Sequence, residues 1–180
     1  KQRTLTSDIC FSGIGLHKGK KANVTITFDL PNSGITFIRS DLNKNNVVKA
    51  LWSNVSSTKL CTTITNKYNV SVSTIEHLMS AFSGMHIDNA RIYIDGPEVP
   101  IMDGSSRPFV ELIENAKIKE QDNKRKVIKV LKEVEVNKND SVARLSPHNQ
   151  FSIHFEIEFD SAVINKQACR LQLLNGNYKN

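Results

Sequence analysis

The stretch STIEHLMSAFSG, residues 73–84, decides how the chain around it is arranged. Its apolar residues recur at helical spacing, and at about 100° per residue they share one arc, which we predict to pack on a core. Glu76, His77 and Ser80 lie on the opposite arc. The residues of the apolar arc are Ile75, Leu78, Met79 and Phe82.

Segments on both sides of this helix alternate apolar and polar residues with a period of two, which is typical of half-buried strands. A turn at residues 31–34 favours a hairpin between the two strands that flank it. A second helix is predicted from Ser106, with Pro108 in its first turn and Phe109, Leu112, Ile113 and Ala116 at helical spacing. The predicted strands around the two helices are residues 22–28, 35–38, 61–65 and 90–94.

The second part of the chain contains strands but no predicted helix. Residues 117–132 form a charged run that reads as a solvated linker, and residues 127–136 and 151–159 alternate as two more strands. A strand-rich segment without a helix leaves one sheet face uncovered, so we expect this part to need further residues. The fold class is therefore α+β, with a first module at residues 1–121 and an incomplete second module at residues 122–180.

The charge of the chain permits several partners. The 24 Lys and Arg residues exceed the 18 Asp and Glu residues and give a net charge of +6, which would suit nucleic acid or an anionic small substrate. The densest basic run is interleaved with acidic residues and has no aromatic stripe beside it. A solvated surface is therefore favoured over a nucleic-acid site.

Cysteine usage and hydropathy bear on the compartment. The three cysteines are widely separated and contain no CxxC pair, which argues against a disulfide framework or a cysteine-based zinc knuckle. No apolar run is long enough to span a bilayer, and the first residues lack the apolar stretch of a secretory signal. We therefore expect a cytoplasmic protein with reduced thiols.

The adjacent residues Glu76 and His77 have two interpretations. In the first, Ser73 and Glu76 form a capping box in which the Glu76 side chain returns to the Ser73 amide, and His77 is simply solvated. In the second, Glu76 is a general base and His77 is a metal ligand. From these residues alone the capping box is favoured, because a lone histidine is rarely a ligand.

Two glycine-containing loops accompany the helix. Residues 13–19 form a tight glycine-punctuated turn that does not match the G-x-G-x-x-G phosphate pattern. Residues 96–105 form a loop in which two prolines restrict the backbone and Asp103-Gly104 turns it. A structural role explains each loop, and Asp103 is expected only to order its turn.

Four segments taken in order resemble a known family. The segments are GIGLHKG at residues 13–19, LCTT at 60–63, STIEHLMSAFSGMHIDN at 73–89 and EVPIMDGSSRPFV at 98–110. Together they are similar to the zinc-dependent UDP-3-O-acyl-N-acetylglucosamine deacetylases of Gram-negative bacteria, which act in lipid A biosynthesis. The resemblance is strongest up to about Val110. It implies two similar sheet-plus-helices sandwiches of a topology also found in a ribosomal-protein domain.

The resemblance also implies roles for individual residues. His77 corresponds to the first of three zinc ligands, and Glu76 corresponds to the general base that takes a proton from the zinc-bound water. Leu60 stands where a methionine is frequent in the family, and Met85-His86 replaces a Leu-Gly pair. Residues implied to line the substrate site are Leu16, His17, Leu60 and Cys61.

The remaining machinery of the resembled family is expected C-terminal to residue 180. It comprises two zinc ligands in a His-Lys-x-x-Asp segment, an assisting histidine and a threonine that stabilises the oxyanion. His148 and His154 match no ligand position. The resemblance implies Zn2+ as cofactor, UDP-3-O-acyl-N-acetylglucosamine as substrate, a monomer without nucleic acid, and at most peripheral contact with the inner membrane.

Two alternatives remain open from the sequence. The chain could be a basic RNA-binding module, since the resembled fold also occurs in a ribosomal protein. It could also be a truncated, inactive paralogue that serves as an interaction domain. Whichever interpretation holds, these 180 residues alone are expected to lack deacetylase activity.

Overall fold

A computed structural model describes residues 1–173 and residue 178 of the chain. The chain divides into two compact units, Lys1–Arg125 and Lys126–Asn180. The predicted α+β class is confirmed. In the first unit, the elements are β1 (Gln2–Leu5), β2 (Ile9–Ile14), β3 (Lys21–Phe28), β4 (Ile35–Arg39), β5 (Val47–Lys49), a short 3-10 helix (Trp52–Asn54), β6 (Val55–Ser57), β7 (Thr63–Thr65), β8 (Ser71–Val72), α1 (Glu76–Gly84), β9 (Ala90–Ile94), α2 (Arg107–Ala116) and β10 (Ile118–Gln121).

The central sheet of this unit has the strand order β2-β3-β9-β4-β5. The expected hairpin between β3 and β4 is wrong, because β9 lies between them, antiparallel to β3 and parallel to β4. Ala90, Ile92 and Ile94 of β9 are fully buried. The middle of a sheet is the position in which such an apolar strand loses most contact with water, and this burial outweighs the local preference for a hairpin.

Both helices pack their apolar faces into the core. The predicted arc of α1 is largely confirmed, since Leu78 and Phe82 are buried with Ile75 just before the helix, while Met79 is half-buried. Helix α2 contacts α1 and strand β2, and the ring of its Phe109 lies 5.6 Å from that of Phe11 in an edge-on arrangement. The buried residues of α2 are Phe109, Val110, Ile113 and Ala116.

A second, smaller sheet has the strand order β6-β7-β8. It contains the strand predicted at residues 61–65, which extends only over Thr63–Thr65. Ile64 of β7 pairs with Val72 of β8, and both are buried. The other face carries hydroxyls, with Ser56 and Thr65 in hydrogen-bond contact at 2.6 Å. Residues 58–62 between β6 and β7 contact the start of α1, because the Thr62 amide donates a hydrogen bond to the Glu76 carboxylate.

The charged run after α2 is not entirely a linker. Its residues Ile118–Gln121 form β10, which pairs antiparallel with β1. Buried Gln121 accepts a hydrogen bond from the Asn89 amide at 2.7 Å and donates one to the Asp29 carbonyl at 2.8 Å. These partners are distant in sequence, so the composition of the run does not reveal that its beginning is held in a sheet.

The second unit contains two antiparallel hairpins. The strand expected at residues 151–159 is confirmed, whereas that expected at residues 127–136 begins only at Val134. Val127 and Ile128 are 83% and 96% exposed and lie outside the ladder, because β12 pairs with Val134–Lys138. Every residue of the four strands is exposed, as expected for uncovered sheet faces. The strands are β11 (Val134–Lys138), β12 (Ser141–Leu145), β13 (Ser152–Glu158) and β14 (Lys166–Gln172).

Candidate functional site

Helix α1 begins at Glu76, three residues later than the sequence predicts, and the capping box is wrong. Ser73 is engaged elsewhere, because both its amide and its hydroxyl donate to the Pro97 carbonyl, at 2.9 and 3.1 Å. Ser73 also forms a bridge with Glu98, and Thr74 adopts a positive φ of 56°. This pairing holds residues 73–74 in a non-helical conformation, so the Glu76 side chain is free to act outside its own helix.

The Glu76 carboxylate is oriented by the neighbouring loop. Its Oε2 accepts a hydrogen bond from the Thr62 amide at 3.0 Å, and the Thr62 carbonyl accepts a longer one from the Ile75 amide. In the part of the chain that the structure describes, Oε1 of Glu76 has no protein partner. The half-buried His77 imidazole beside it has no hydrogen bond or ion pair there either. The start of α1 therefore presents one oriented carboxylate and one available imidazole.

The loop that holds Glu76 also carries two of the predicted lining residues. Cys61 is half-buried with a free thiol 3.8 Å from the Thr63 hydroxyl, and it directly precedes Thr62. Leu60 is 82% exposed and has a positive φ of 63°, which turns the chain toward the helix. The backbone of Thr62, next to Cys61, therefore contacts Glu76, whereas the Leu60 side chain points to solvent.

Glu98 is a site residue that the sequence reasoning missed. Glu98 as a residue is only 3% exposed. Oε1 accepts hydrogen bonds from the His17 amide and the Thr74 hydroxyl, and Oε2 accepts one from the Lys18 amide, all at 2.9 Å. Glu98 therefore fastens the loop at residues 15–18 to the residues that lead into α1. The sequence signal that could have identified Glu98 was an acidic residue flanked by Pro97, Val99 and Pro100.

The electrostatics of Glu98 agree with this role. Burial is the largest single influence on its pKa and raises it, but the hydrogen bonds from His17, Thr74 and Lys18 together lower the net pKa below the ordinary value. Gly15 packs directly on this carboxylate, and a Cβ at that position would lie 2.5 Å from Oε2 of Glu98. The glycine in the GIGLHKG loop is thus required by close approach to the buried acid.

The other two predicted lining residues lie on the loop that Glu98 holds. Leu16 is 60% exposed and His17 is also exposed, so the loop is positioned through its backbone and not through these side chains. The Glu98 carboxylate, which also accepts the Thr74 hydroxyl, links this loop to the residues before α1. Among the described residues, the structure shows no hydrogen bond or ion pair between Leu16 or His17 and the Glu76–His77 pair.

Asp103 behaves as an ordering residue, as expected. Its Oδ1 accepts hydrogen bonds from the amide and the hydroxyl of Ser105, at 2.9 and 2.8 Å. His148 contacts the backbone of Gln150 within its own turn, and His154 lies exposed on β13. Asp103 and His148 each make these contacts within their own turn.

The donor set available for a metal is incomplete. Among residues 1–173 and 178, no three His, Cys, Asp or Glu side chains converge closely enough to hold a metal ion. Protein zinc sites use three or four such ligands, so the single imidazole of His77 does not form one by itself. Within the same residues, no helix is both long and apolar enough to cross a membrane.

Known proteins similar to this chain share one description. Residues 2–180 match the family model for UDP-3-O-acyl N-acetylglycosamine deacetylase. The chain is 45% identical over 168 residues to the UDP-3-O-acyl-N-acetylglucosamine deacetylase of Methylococcus capsulatus, covering 93% of this chain and 55% of the relative. The corresponding enzyme of Haemophilus influenzae strain PittEE is 42% identical, with 92% and 54% covered, and that of Syntrophus aciditrophicus is 40% identical, with 99% and 56% covered.

The chain thus spans about half the length of the curated relatives it matches. The family match, by contrast, extends over nearly all of its residues. On this match, the chain belongs to the UDP-3-O-acyl N-acetylglycosamine deacetylase family.

Proposed function

We propose that the protein to which this chain belongs hydrolyses the N-acetyl group of a UDP-3-O-acyl-N-acetylglucosamine, yielding the free amine and acetate in lipid A biosynthesis. The observation that carries the proposal is the Glu76–His77 pair at the start of α1, with Glu76 held by the Thr62 amide. The names of the relatives supply the substrate. Because the chain spans about half of those relatives, these residues alone are proposed to be inactive.

Glu76 is proposed as the general base. The Thr62 amide holds Oε2 and leaves Oε1 available to accept a proton from a water molecule. As that water oxygen bonds to the acetyl carbon, its proton passes to Glu76. The carbon–nitrogen bond then breaks with its electron pair going to nitrogen, the proton taken up by Glu76 passes to that nitrogen, and acetic acid leaves and ionises to acetate.

Zinc is proposed for the whole protein and not for this chain alone. A zinc ion supplies polarisation of a carbonyl and activation of water. His77 would provide one ligand, and the remaining ligands would come from residues outside this chain. Since the described residues do not complete a zinc site, no step is assigned to a metal held by them.

The surroundings of the substrate are proposed from the two loops at the helix start. Leu60 and Cys61 belong to the loop that holds Glu76, and Leu16 and His17 belong to the loop that Glu98 fastens to Thr74. We propose that these four side chains line the substrate site. The same proposal assigns the enzyme to the cytoplasm, as a monomer with no nucleic-acid partner.

The proposal is tested with Glu76→Gln in the full-length enzyme. Loss of a general base is expected to lower kcat about 1,000-fold while leaving the melting temperature and the zinc content unchanged. Glu111→Gln, which removes an exposed carboxylate on α2, is the matched control and is expected to retain full activity. A Glu76→Gln enzyme with kcat within twofold of the parent would exclude the assigned role.

A further inference from the structure

One segment of the first unit has a charge pattern unlike the rest of the chain. Residues 42–75 contain four lysines and no aspartate or glutamate, although the whole chain carries 18 acidic residues. All four lysines are exposed, and none forms an ion pair within the described residues. The segment therefore presents uncompensated positive charge. These residues are Lys44, Lys49, Lys59 and Lys67.

Large apolar side chains are exposed in the same segment. Trp52, the only tryptophan of the chain, is 88% exposed. Val47, Leu51 and Tyr68 are each about half exposed, at 47%, 49% and 52%. We call the combined surface the lysine–tryptophan face. It consists of Lys44, Val47, Lys49, Leu51, Trp52, Lys67 and Tyr68.

Hydrogen bonds hold the parts of this face together. The Asn66 side-chain amide donates to the carbonyls of Asn45 and Val47, at 2.6 and 2.9 Å, and so fastens the β7–β8 turn to the start of β5. The Asn54 side chain donates to the Lys49 carbonyl at 2.9 Å and fixes the short helix of Trp52 to the end of β5.

A cation–π contact adds to this order within the β7–β8 turn. The Lys67 ammonium lies 5.0 Å from the centre of the Tyr68 ring. The lysine–tryptophan face is therefore built on backbone held by hydrogen bonds, and it presents the Lys67 cation and the Tyr68 ring together.

We propose that the lysine–tryptophan face docks on an anionic lipid bilayer. Tryptophan and tyrosine rings favour the headgroup region of a bilayer, and lysines beside them are attracted to anionic lipid. The absence of any carboxylate between residues 42 and 75 removes the repulsion that would oppose such contact. Exposed Val47 and Leu51 favour a bilayer over a nucleic acid, because aliphatic side chains gain nothing from a phosphate backbone.

Docking through this face would bring the candidate site close to the lipid surface. Residues 60–62, of which Thr62 holds Glu76, lie in the same segment, 8 to 10 residues after Trp52 along the chain. Membrane attachment by a few side chains requires no spanning helix. The inference concerns binding alone and does not depend on the proposed deacetylase activity.

Trp52 is a direct probe, because no other tryptophan contributes to the fluorescence. We would titrate the chain with vesicles of equal parts phosphatidylglycerol and phosphatidylcholine, and separately with vesicles of phosphatidylcholine alone. With the anionic vesicles, the emission is expected to shift to the blue and acrylamide quenching to decrease; neutral vesicles should cause neither. Binding detected by sedimentation without any change in Trp52 emission would overturn the proposal, as would no binding at all.

Two charge variants locate the binding surface. Lys44→Gln/Lys49→Gln/Lys67→Gln is expected to weaken vesicle binding about 100-fold, at about fivefold per lysine. The matched control removes three exposed lysines of the second unit and is expected to change binding no more than about twofold. Equal losses in both variants would overturn the proposal. The control is Lys129→Gln/Lys132→Gln/Lys138→Gln.

A nucleic acid is the competing partner for a cationic face with exposed rings. An unstructured RNA oligonucleotide is therefore added to the vesicle-bound chain. The emission of Trp52 is expected to stay blue-shifted. Displacement of the chain from the vesicles by the oligonucleotide at equal charge concentration would reject the lipid assignment in favour of RNA.

Discussion

The two units of the chain contain strands with the same alternation of apolar and polar residues but very different burial. In β3, Val24 and Ile26 are each 1% exposed. In β13, Ile153 and Phe155 are 43% and 58% exposed. Alternation specifies that a segment becomes a strand with one apolar face, but only a second layer removes that face from water.

The second layer of the first unit is supplied by its two helices. Both α1 and α2 direct buried residues into the core, and the candidate site lies where α1 begins. Neither hairpin of the second unit has a helix among its described residues, and an isolated hairpin is only marginally stable in water. The candidate site therefore lies in the unit whose two helices complete the core around it.

The largest expected effect tests this difference in burial. Phe37→Ala removes a fully buried ring from β4 and is expected to lower the free energy of unfolding by about 4 kcal/mol. Phe155→Ala removes the same group from an exposed position on β13 and is expected to change it by less than about 0.5 kcal/mol. Urea unfolding followed by circular dichroism measures both. Similar losses in the two variants would show that the second unit has a core of its own.

The next effect concerns the buried polar contact of the first unit. The Glu98 carboxylate accepts three hydrogen bonds. In Glu98→Gln, an amide takes its place, and the NH2 group of that amide must face a backbone donor. The expected loss in the free energy of unfolding is about 3 kcal/mol. Glu111→Gln, on the exposed face of α2, is the matched control and should cost less than about 0.5 kcal/mol.

The same variant has a pH signature. Because folding lowers the pKa of Glu98, its stabilisation is complete above the ordinary value of 4.5 and is lost as the pH falls through the lower folded pKa. The parent chain should therefore lose this contribution below about pH 4.5, whereas the Glu98→Gln variant should not. Parallel stability curves for parent and variant between pH 3 and 6, with a constant difference, would contradict this assignment.

The smallest expected effect concerns the end of α1. His86 occupies the position after the helix with a positive φ of 59°, and the Ile87 amide behind it donates to the Phe82 carbonyl. Glycine is the preferred residue at this position because it has no Cβ. His86→Gly is therefore expected to raise the free energy of unfolding by about 1 kcal/mol, measured by urea unfolding at pH 7.

His86 also has a pH signature, of the same sign as that of Glu98 but at higher pH. Burial, followed by the nearby Arg125 and Arg3, lowers its pKa, and Asp88 opposes this only in part. The folded state therefore favours neutral histidine, and stability falls as the pH decreases from about 6.5 toward the folded pKa. His86→Gly should remove this slope, while His154→Gln, on an exposed strand, should leave it unchanged. A slope that survives in His86→Gly would assign it to another group.

Much of the fold could be predicted from local patterns. The strands at residues 22–28 and 90–94, both helices and the buried arc of α1 follow from apolar periodicity, because a period of two or 3.6 reports which side chains share a face. Glu76 and His77 lie together at the start of α1. They are adjacent in the sequence, so predicting this required no knowledge of the fold.

Contacts between distant residues could not be predicted in this way. The sequence contains an apparent capping box at Ser73, but pairing with residues 97–98 engages that serine instead. Glu98 appears as a lone acid in a proline-rich loop, and its partners are about 24 and 80 residues away. Such contacts depend on which strands become neighbours, which is a property of the assembled sheet.

Local sequence patterns specify the secondary-structure elements, their apolar faces and the residue types present at the candidate site. Tertiary contacts place β9 between β3 and β4, orient Glu76 through the loop at Thr62, and join the loop at residues 15–18 to Glu98. The physical reason is that periodicity and turn preferences act over a few residues. The burial of apolar strands and of one carboxylate is optimised over the whole unit.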